Sequence, residues 1–182
     1  MSSRLKALSL LLALVSFFIY ANVTADTNRH QAEVTILSDD KLLPELIRDI
    51  AEAERSIYIA MYMFKSYSNI KSGAGLIKAS LVKAAKKGVK IYVVLDSSNK
   101  GDFVEKENKK LGKYLSKNGI QVIYDAPDTR MHTKAIVIDE NITYIGSHNY
   151  TNSALKYNRE LTVRIVSNEA AVDAVQHIKS IK

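Results

Sequence analysis

The sequence predicts one α/β domain, a mixed β-sheet sandwiched between helices. Three observations carry that expectation. Apolar runs of strand length alternate with amphipathic runs of helix length, the pattern of a sheet covered by helices. Two of the runs, Ser56 to Phe64 and Val89 to Leu95, are almost continuously apolar, as strands buried on both faces are. The chain has 182 residues, 47% hydrophobic and 25% charged, which is the size and balance of one globular domain. That balance excludes a disordered chain, a collagen-like repeat and a multi-span membrane protein.

Met1 to Ala25 reads as an address label. Arg4 and Lys6 give a basic start, Leu8 to Tyr20 is mostly apolar, and small residues close the segment at Ala25. This is the pattern of a secretory signal, and the apolar stretch is shorter than the ~20 residues of a membrane span. Cleavage after Ala25 is expected, with a retained N-terminal anchor as the alternative. The working domain is then 26–182, in a bacterial periplasm or secreted.

Within it the elements follow in order. Glu33 to Leu37 is a strand. Asp39 or Asp40 caps a helix from Leu42 to Ala53 with Leu43, Leu46, Ile47 and Ile50 on one face. Ser56 to Phe64 is a buried strand, and Tyr58 and Tyr62 within it are expected in the core. Tyr67 to Gly75 is a polar loop, followed by a helix to Lys87 that Gly88 closes. Val89 to Leu95 is the second buried strand and ends at Asp96. Glu105 to Lys117 is a basic amphipathic helix whose Lys106, Lys109, Lys110, Lys113 and Lys117 read as a solvated face. After Asn118-Gly119 come a strand from Ile120 to Tyr124 and a loop from Asp125 to Met131. Thr133 to Asp139 and Ile142 to Ser147 form two strands joined by a tight turn at Glu140-Asn141. Glu160 to Val166 is the last strand, and Asn168 to Ile181 the last helix.

Lys plus Arg number 26 against 19 Asp plus Glu, giving +7 and a pI near 9.4. Without the leader 24 basic side chains face 19 acidic ones, still +5. A surplus of that sign favours polyanionic partners, nucleic acid or anionic lipid. There is no cysteine, which excludes disulfides, thiolate metal sites and Cys nucleophiles. Asn141-Ile142-Thr143 and Asn149-Tyr150-Thr151 are sequons, but a glycan on Asn149 would block the centre described next, which favours a bacterial source.

The chemistry concentrates in His132-Thr133-Lys134, Asp139 and Gly146-Ser147-His148-Asn149. His132 and Lys134 are two apart on one strand and leave the same face. Ser147 and Asn149 have the same spacing after the next strand, so the two pairs can converge at one end of the sheet. Asp139 is an odd number of residues from Lys134 and points the other way, which fits a structural role. An imidazole serves as nucleophile or proton carrier near neutral pH. A Lys ammonium neutralises phosphoryl oxygens, while an Asn amide and a Ser hydroxyl donate to them. Gly146 lets backbone approach a bulky anion closely. Glu160 is placed to accept the other imidazole N–H. His148 faces away from the motif and reads as structural. Arg130, Lys156 and Arg159 sit beside it in sequence and are candidates for contacting a nucleic-acid backbone. No acidic or His cluster has metal-ligand spacing, so no metal or other cofactor is expected.

His132-x-Lys134-x4-Asp139-x6-Gly146-Ser147-x-Asn149 resembles the HKD motif of the phospholipase D superfamily. Six fixed types at about one in twenty each arise by chance on the order of a few times in a million such chains. The resemblance implies the phospholipase D/nuclease-like fold. It implies His132 as the nucleophile of a phosphohistidine intermediate, Lys134 and Asn149 gripping the phosphoryl oxygens with help from Ser147, and Glu160 orienting His132. Members of the family use two motifs per active site. This chain has one, because His30, His148 and His177 lack a lysine two residues on. A C2 homodimer would supply the second, as in the small bacterial endonucleases of the superfamily. The implied activity is that of an exported, metal-independent, non-specific endonuclease acting on DNA, with RNA as an alternative substrate. The alternatives are a phospholipase D-type hydrolase of phosphatidyl lipids, with membrane association if the leader is kept, and a catalytically silent nucleic-acid-binding module. The Lys65 to Gly75 loop is longer than the small-family pattern.

Overall fold

The computed structural model describes residues 28–181 except 66, 68, 70 and 99, and the compact unit is Gln31–Lys182. The expected leader lies outside the described residues. No described helix is long and apolar enough to cross a membrane. The strands are β1 (Glu33–Ser38), β2 (Ser56–Met61), β3 (Lys90–Leu95), β4 (Gln121–Tyr124), β5 (Lys134–Ile138), β6 (Ile142–Gly146) and β7 (Leu161–Val166). The helices are α1 (Leu42–Glu52), α2 (Gly73–Lys86), α3 (Phe103–Lys117), the short α4 (Asn152–Lys156) and α5 (Asn168–Ser180).

All seven strands form one sheet in the order β1-β7-β6-β5-β2-β3-β4. β2, β3 and β4 are parallel, and β2-β5, β5-β6, β6-β7 and β7-β1 are antiparallel. The parallel pairs need long crossovers, which α2 and α3 supply, whereas the antiparallel β5-β6 pair needs only a turn. One face of the sheet carries three helices: Leu46 and Ile50 of α1, Ile77 and Leu81 of α2, and Leu111 and Leu115 of α3 join Ile57, Ile59, Val93 and Ile136 in the main core. The opposite face carries α5, whose Ala171, Val175 and Ile178 pack with Ala60, Val94, Ala135 and Val137. The five lysines of α3 are exposed, as a solvated face requires.

Several elements depart from expectation for identifiable reasons. The buried stripe of α1 is Leu42, Leu46, Asp49 and Ile50, turned from the expected one, with Leu43 and Ile47 at its margin. Asp49 is drawn inward as a hydrogen-bond acceptor, from Arg164 Nε at 2.7 Å and from the Tyr144 hydroxyl at 2.5 Å. Burial pushes the Asp49 carboxyl up, but these bonds outweigh it and leave it below the usual carboxylate range. The cap expected from Asp39 or Asp40 is not made, because a 3-10 turn over Asp39–Lys41 precedes the helix. Asp39, at φ 53°, instead binds Glu160 through its own N–H and its Oδ1, at 2.9 and 3.0 Å. β2 stops at Met61, and Phe64 makes a single bridge to Tyr150. α4, not foreseen, is capped by the Thr151 hydroxyl accepting from the Ala154 N–H.

The β5-β6 turn is centred one residue earlier than expected. Asp139 and Glu140 take φ of 54° and 50°, and the Asn141 N–H donates to the Ile138 carbonyl at 3.1 Å. The Asp139 carboxylate accepts the N–H groups of Glu54, Arg55 and Ser56 at 2.9, 2.7 and 2.8 Å, and Arg55 also donates to its carbonyl. The hairpin is thereby clamped to the chain entering β2.

Asp139→Ala leaves three N–H groups without this acceptor and should lower stability by about 2–3 kcal/mol. Asp139→Asn should recover part of that loss, since the amide oxygen accepts and Asn tolerates a positive φ. Urea unfolding of the three proteins, read by circular dichroism, measures both.

Candidate active site

β5 lies antiparallel between β2 and β6, so its beginning sits beside the ends of both. Lys134 pairs with Met61, and the Tyr62 N–H donates to the Thr133 carbonyl at 2.9 Å. Beyond β6 the Ser147 N–H donates to the Leu161 carbonyl at 2.9 Å. The chain then crosses to the far side of β5: the Tyr150 N–H reaches the Met63 carbonyl and the Lys65 N–H reaches the Tyr150 carbonyl, each at 3.0 Å. Ser147 to Asn149 therefore arch over the end of β5 from which His132 and Lys134 emerge.

Lys134 Nζ lies 3.2 Å from His132 Nδ1 and donates to the His132 carbonyl at 2.8 Å. The Tyr62 ring sits 4.4 Å from the imidazole, centroid to centroid, with Lys134 Nζ 5.3 Å from the Tyr62 centroid. Tyr62 is thus a wall of the site rather than a core residue. Partial desolvation, then the charges of Lys134 and Arg130, lower the His132 pKa, against a small opposing pull from Asp96. This favours the neutral form of the ring. Burial likewise lowers the Lys134 pKa, and the Glu160 carboxylate opposes it. With the ammonium donating to Nδ1, the ring proton is assigned to Nε2.

The segment leading to His132 is anchored by groups that the sequence did not single out. The Met131 N–H donates to Asp96 Oδ1 at 3.0 Å and to Asp125 Oδ2 at 3.2 Å. Asp125 Oδ1 accepts from the Ser97 N–H at 2.7 Å. Asn108, fully buried on α3, donates to the carbonyls of Tyr62 and Asp96 at 2.8 and 2.9 Å and accepts from the Phe64 N–H at 3.0 Å. Burial pushes the Asp125 carboxyl up; the Ser97 and Met131 N–H groups oppose this and Asp96 adds to it. The available signal was position: Asp96 and Asp125 each follow the carboxyl end of a parallel strand, where open α/β sheets place their sites.

Glu160 stands elsewhere than expected. Among the described residues its carboxylate accepts from the Ser147 hydroxyl and from Asn158 Nδ2 at 2.9 Å, and from no histidine. It precedes β7, two strands from β5, and each strand spacing is about 4.8 Å. Ser147 is committed as well, since its Oγ also accepts the Leu161 N–H at 3.1 Å. Asn149 is half-buried, and its Oδ1 has no hydrogen-bond partner among the described residues. Gly146 serves a close approach to β7 rather than an open cradle: a Cβ there would collide with the Leu161 carbonyl and the Thr162 side chain. His148 is buried between Thr162 Oγ1 and the Asp39 carbonyl, at 2.7 and 2.8 Å.

Of the three basic candidates, Arg130 lines a cavity of about 390 Å³ together with His132, Asp125 and His177. Lys156 lies over the Tyr157 ring and lines a separate cavity with Lys71 and Asn152. Arg159 is paired with Asp39 at 3.1 Å. Among the described residues no group of three or more His, Asp or Glu side chains has the arrangement of a metal site.

The sequence profile described as "Cardiolipin synthase, PLD-like domain" matches residues 46–182. A phospholipase D of Rickettsia prowazekii is 31% identical over 132 residues, 72% of this chain and 58% of that protein. A cardiolipin synthase A of Wigglesworthia glossinidia brevipalpis is 30% identical over 139 residues, 71% of this chain and 27% of that protein. The chain thus spans about a quarter of the synthase and under two thirds of the phospholipase. Among solved structures, Nuc of Salmonella typhimurium, a phospholipase D family member, superposes with a TM-score of 0.69 at 23% identity, over 83% of this chain and 94% of that one. With most of its length matched by that profile, and the HKD residues at the mouth of the same fold, the chain belongs to the PLD-like domain family of the phospholipase D superfamily.

Proposed function

We propose that the protein is a metal-independent phosphodiesterase, a non-specific endonuclease that cleaves DNA, with RNA as an alternative substrate, through a phosphohistidine intermediate. The observation that carries this reading is the contact of the His132 imidazole with Lys134 Nζ, 3.2 Å from Nδ1, at the open end of the sheet, with the imidazole pKa held down by partial burial and the neighbouring charges. A phosphodiester oxygen is a stronger acceptor for that ammonium than a ring nitrogen is. Substrate would therefore draw Lys134 onto the phosphate and release the ring lone pair. The freed nitrogen attacks phosphorus, a P–N bond forms and the bond to the leaving oxygen breaks. Lys134 and the Asn149 amide stabilise the charge gathering on the non-bridging oxygens. The leaving oxygen needs a proton, and water must then cleave the P–N bond; a second His132, from another copy of the chain, fills both roles. Arg130 beside His132 offers a contact for the neighbouring phosphate. The basic surplus fits a polyanion, and the leader-like start of the sequence supports action outside the cytoplasm.

A second reading is a phospholipase D-type hydrolase of phosphatidyl lipids, favoured by the names of the relatives near 30% identity. The same phosphoryl chemistry serves it, and only the leaving group differs.

Incubating the purified protein with plasmid, single-stranded DNA, RNA and phosphatidylcholine vesicles in EDTA separates the readings. Nicking of plasmid that persists in EDTA and falls by about 10²–10⁴-fold in His132→Ala is the expected result. Turnover of lipid alone would replace the first reading by the second, and binding without cleavage of anything would overturn both. The pH profile is a further check. Because the His132 pKa is lowered, the neutral ring survives to lower pH, so the acid limb of kcat/KM should lie below about 6.5, the ordinary histidine value. Arg130→Ala removes one of the lowering charges and should move that limb upward.

A further inference from the structure

The positive charge of the protein is gathered in one stretch. Residues 73–117 hold eleven lysines, no arginine and four carboxylates, whereas the rest of 26–182 holds 13 basic side chains against 15 acidic ones. The surplus of the working domain therefore belongs to α2, β3 and α3. β2, β3 and β4 are successive parallel strands, so α2 and α3, which join them, lie side by side on one face of the sheet. Their outer sides carry Lys83 and Lys86 on α2 and the five lysines of α3, all exposed. At 3.6 residues per turn, Lys106, Lys109, Lys110, Lys113 and Lys117 fall within about 100° of one another around the axis of α3.

A solvated face ordinarily mixes charges of both signs. Here the signs are segregated. Asp96 is buried and bonded to the Met131 N–H, Asp102 caps α3 by accepting the Glu105 N–H at 2.8 Å, and Glu105 pairs with Lys109 at 3.6 Å. That leaves Glu107 as the fourth carboxylate among the lysines. Burial and the charge of Lys110 on the neighbouring helix push the Lys78 pKa down, the mark of like charges brought together. Rings stand among these cations. Lys65 Nζ lies 5.1 Å from the centroids of both Tyr67 and Phe103, and Lys78 Nζ lies 4.6 Å from that of Tyr114. Phe103 and Tyr114 are 56 and 41% exposed. Lysines around exposed rings are the composition of a surface that rests on a membrane, with rings at head-group level and ammonium groups on lipid phosphate.

Two features favour a lipid surface over a polynucleotide as the occupant. The cations are all lysine, a compact charge without the planar fork by which arginine fixes a phosphate in one orientation. Fluid head groups demand no such orientation. The lysines also spread over two adjacent helices, an area rather than a line, which matches a plane of charge. We propose that the outer side of α2 and α3 is a docking surface for an anionic phospholipid membrane. Phe103 and Tyr114 enter the head-group layer, and the lysines neutralise the lipid charge. The surface is independent of the choice between endonuclease and phospholipase. The buried side of α3 carries Asn108, which holds the backbone of Tyr62 and Phe64. α3 thus serves the site with one side and the membrane with the other.

The test is flotation of the full chain with phosphatidylcholine vesicles, with and without phosphatidylglycerol. The leader is common to every protein compared, so the gain in binding on adding phosphatidylglycerol is the quantity read. The unmodified chain should show a gain that falls as salt is added. A triple variant, Lys110→Ala with Lys113→Ala and Lys117→Ala, should lose about 10²-fold of it, about fivefold for each lysine. Phe103→Ala should weaken binding without changing its salt dependence, as loss of an apolar contact does. Circular dichroism and urea unfolding verify that each variant is folded, and the triple variant should hydrolyse bis-para-nitrophenyl phosphate as the unmodified chain does. No gain for the unmodified chain, or a gain that survives the triple substitution, overturns the proposal. So does a triple variant whose binding of a DNA fragment falls while its vesicle binding is unaltered, which assigns the lysines to nucleic acid. A chain that binds vesicles through these lysines but cleaves no phosphodiester supports the surface and defeats the proposed activity, so the two failures are distinct.

Discussion

The placement of β5 between β2 and β6, antiparallel to both, is the constraint on which the rest of the molecule depends. Hydrogen bonding on both sides leaves this strand no freedom of register, so its first residues must emerge beside the last residues of its neighbours. His132 and Lys134 therefore stand next to the arch that carries Ser147 and Asn149, although these pairs are well separated along the chain. The Asp139 carboxylate secures the far end of the same hairpin by taking three N–H groups at the entry to β2. A slip of one residue would turn Lys134 to the opposite face and separate it from the arch.

A second level of control is electrostatic. The residues before His132 are tied to two buried carboxylates, Asp96 and Asp125, through a single backbone N–H at Met131. Asn108 ties the same end of the sheet to the bend at Tyr62. The His132 ring is thus carried on a fixed backbone while it stays exposed. Partial burial and the charges of Lys134 and Arg130 favour the neutral form of the imidazole while the Lys134 cation stays at hand. Tyr62 contributes a ring face that limits how far either group can swing.

The covering of the sheet is uneven. An α/β sheet normally buries both faces. Among the described residues one face is covered by three long helices and the other by α5. Exposed apolar side chains at Val34, Ile36, Ile145 and Leu161 lie on the strands whose ends carry Ser147 and Glu160.

Much of this was legible from the residues. Buried parallel strands announce themselves as unbroken apolar runs, which is why β2 and β3 were foreseen and why the mixed sheet followed. The two-residue spacings of His132 and Lys134 and of Ser147 and Asn149 suggested shared strand faces, but β5 begins at Lys134 and β6 ends at Gly146, so His132, Ser147 and Asn149 lie beyond the strands and the loops set their positions. Other features depend on contacts between segments distant in sequence, and local pattern does not report them. Asp49 turned α1 because Tyr144 and Arg164 lie opposite it. Tyr62 became part of the site because the chain bends after Met61. Glu160 reached Ser147 rather than His132 because β6 lies between β7 and β5. The sequence by itself determined which elements form and which side chains share a strand face, since both are set by periodicities of two and 3.6. Only the tertiary structure decided which carboxylate meets which donor and which apolar side chains stay exposed, because strand order and helix placement belong to the whole chain.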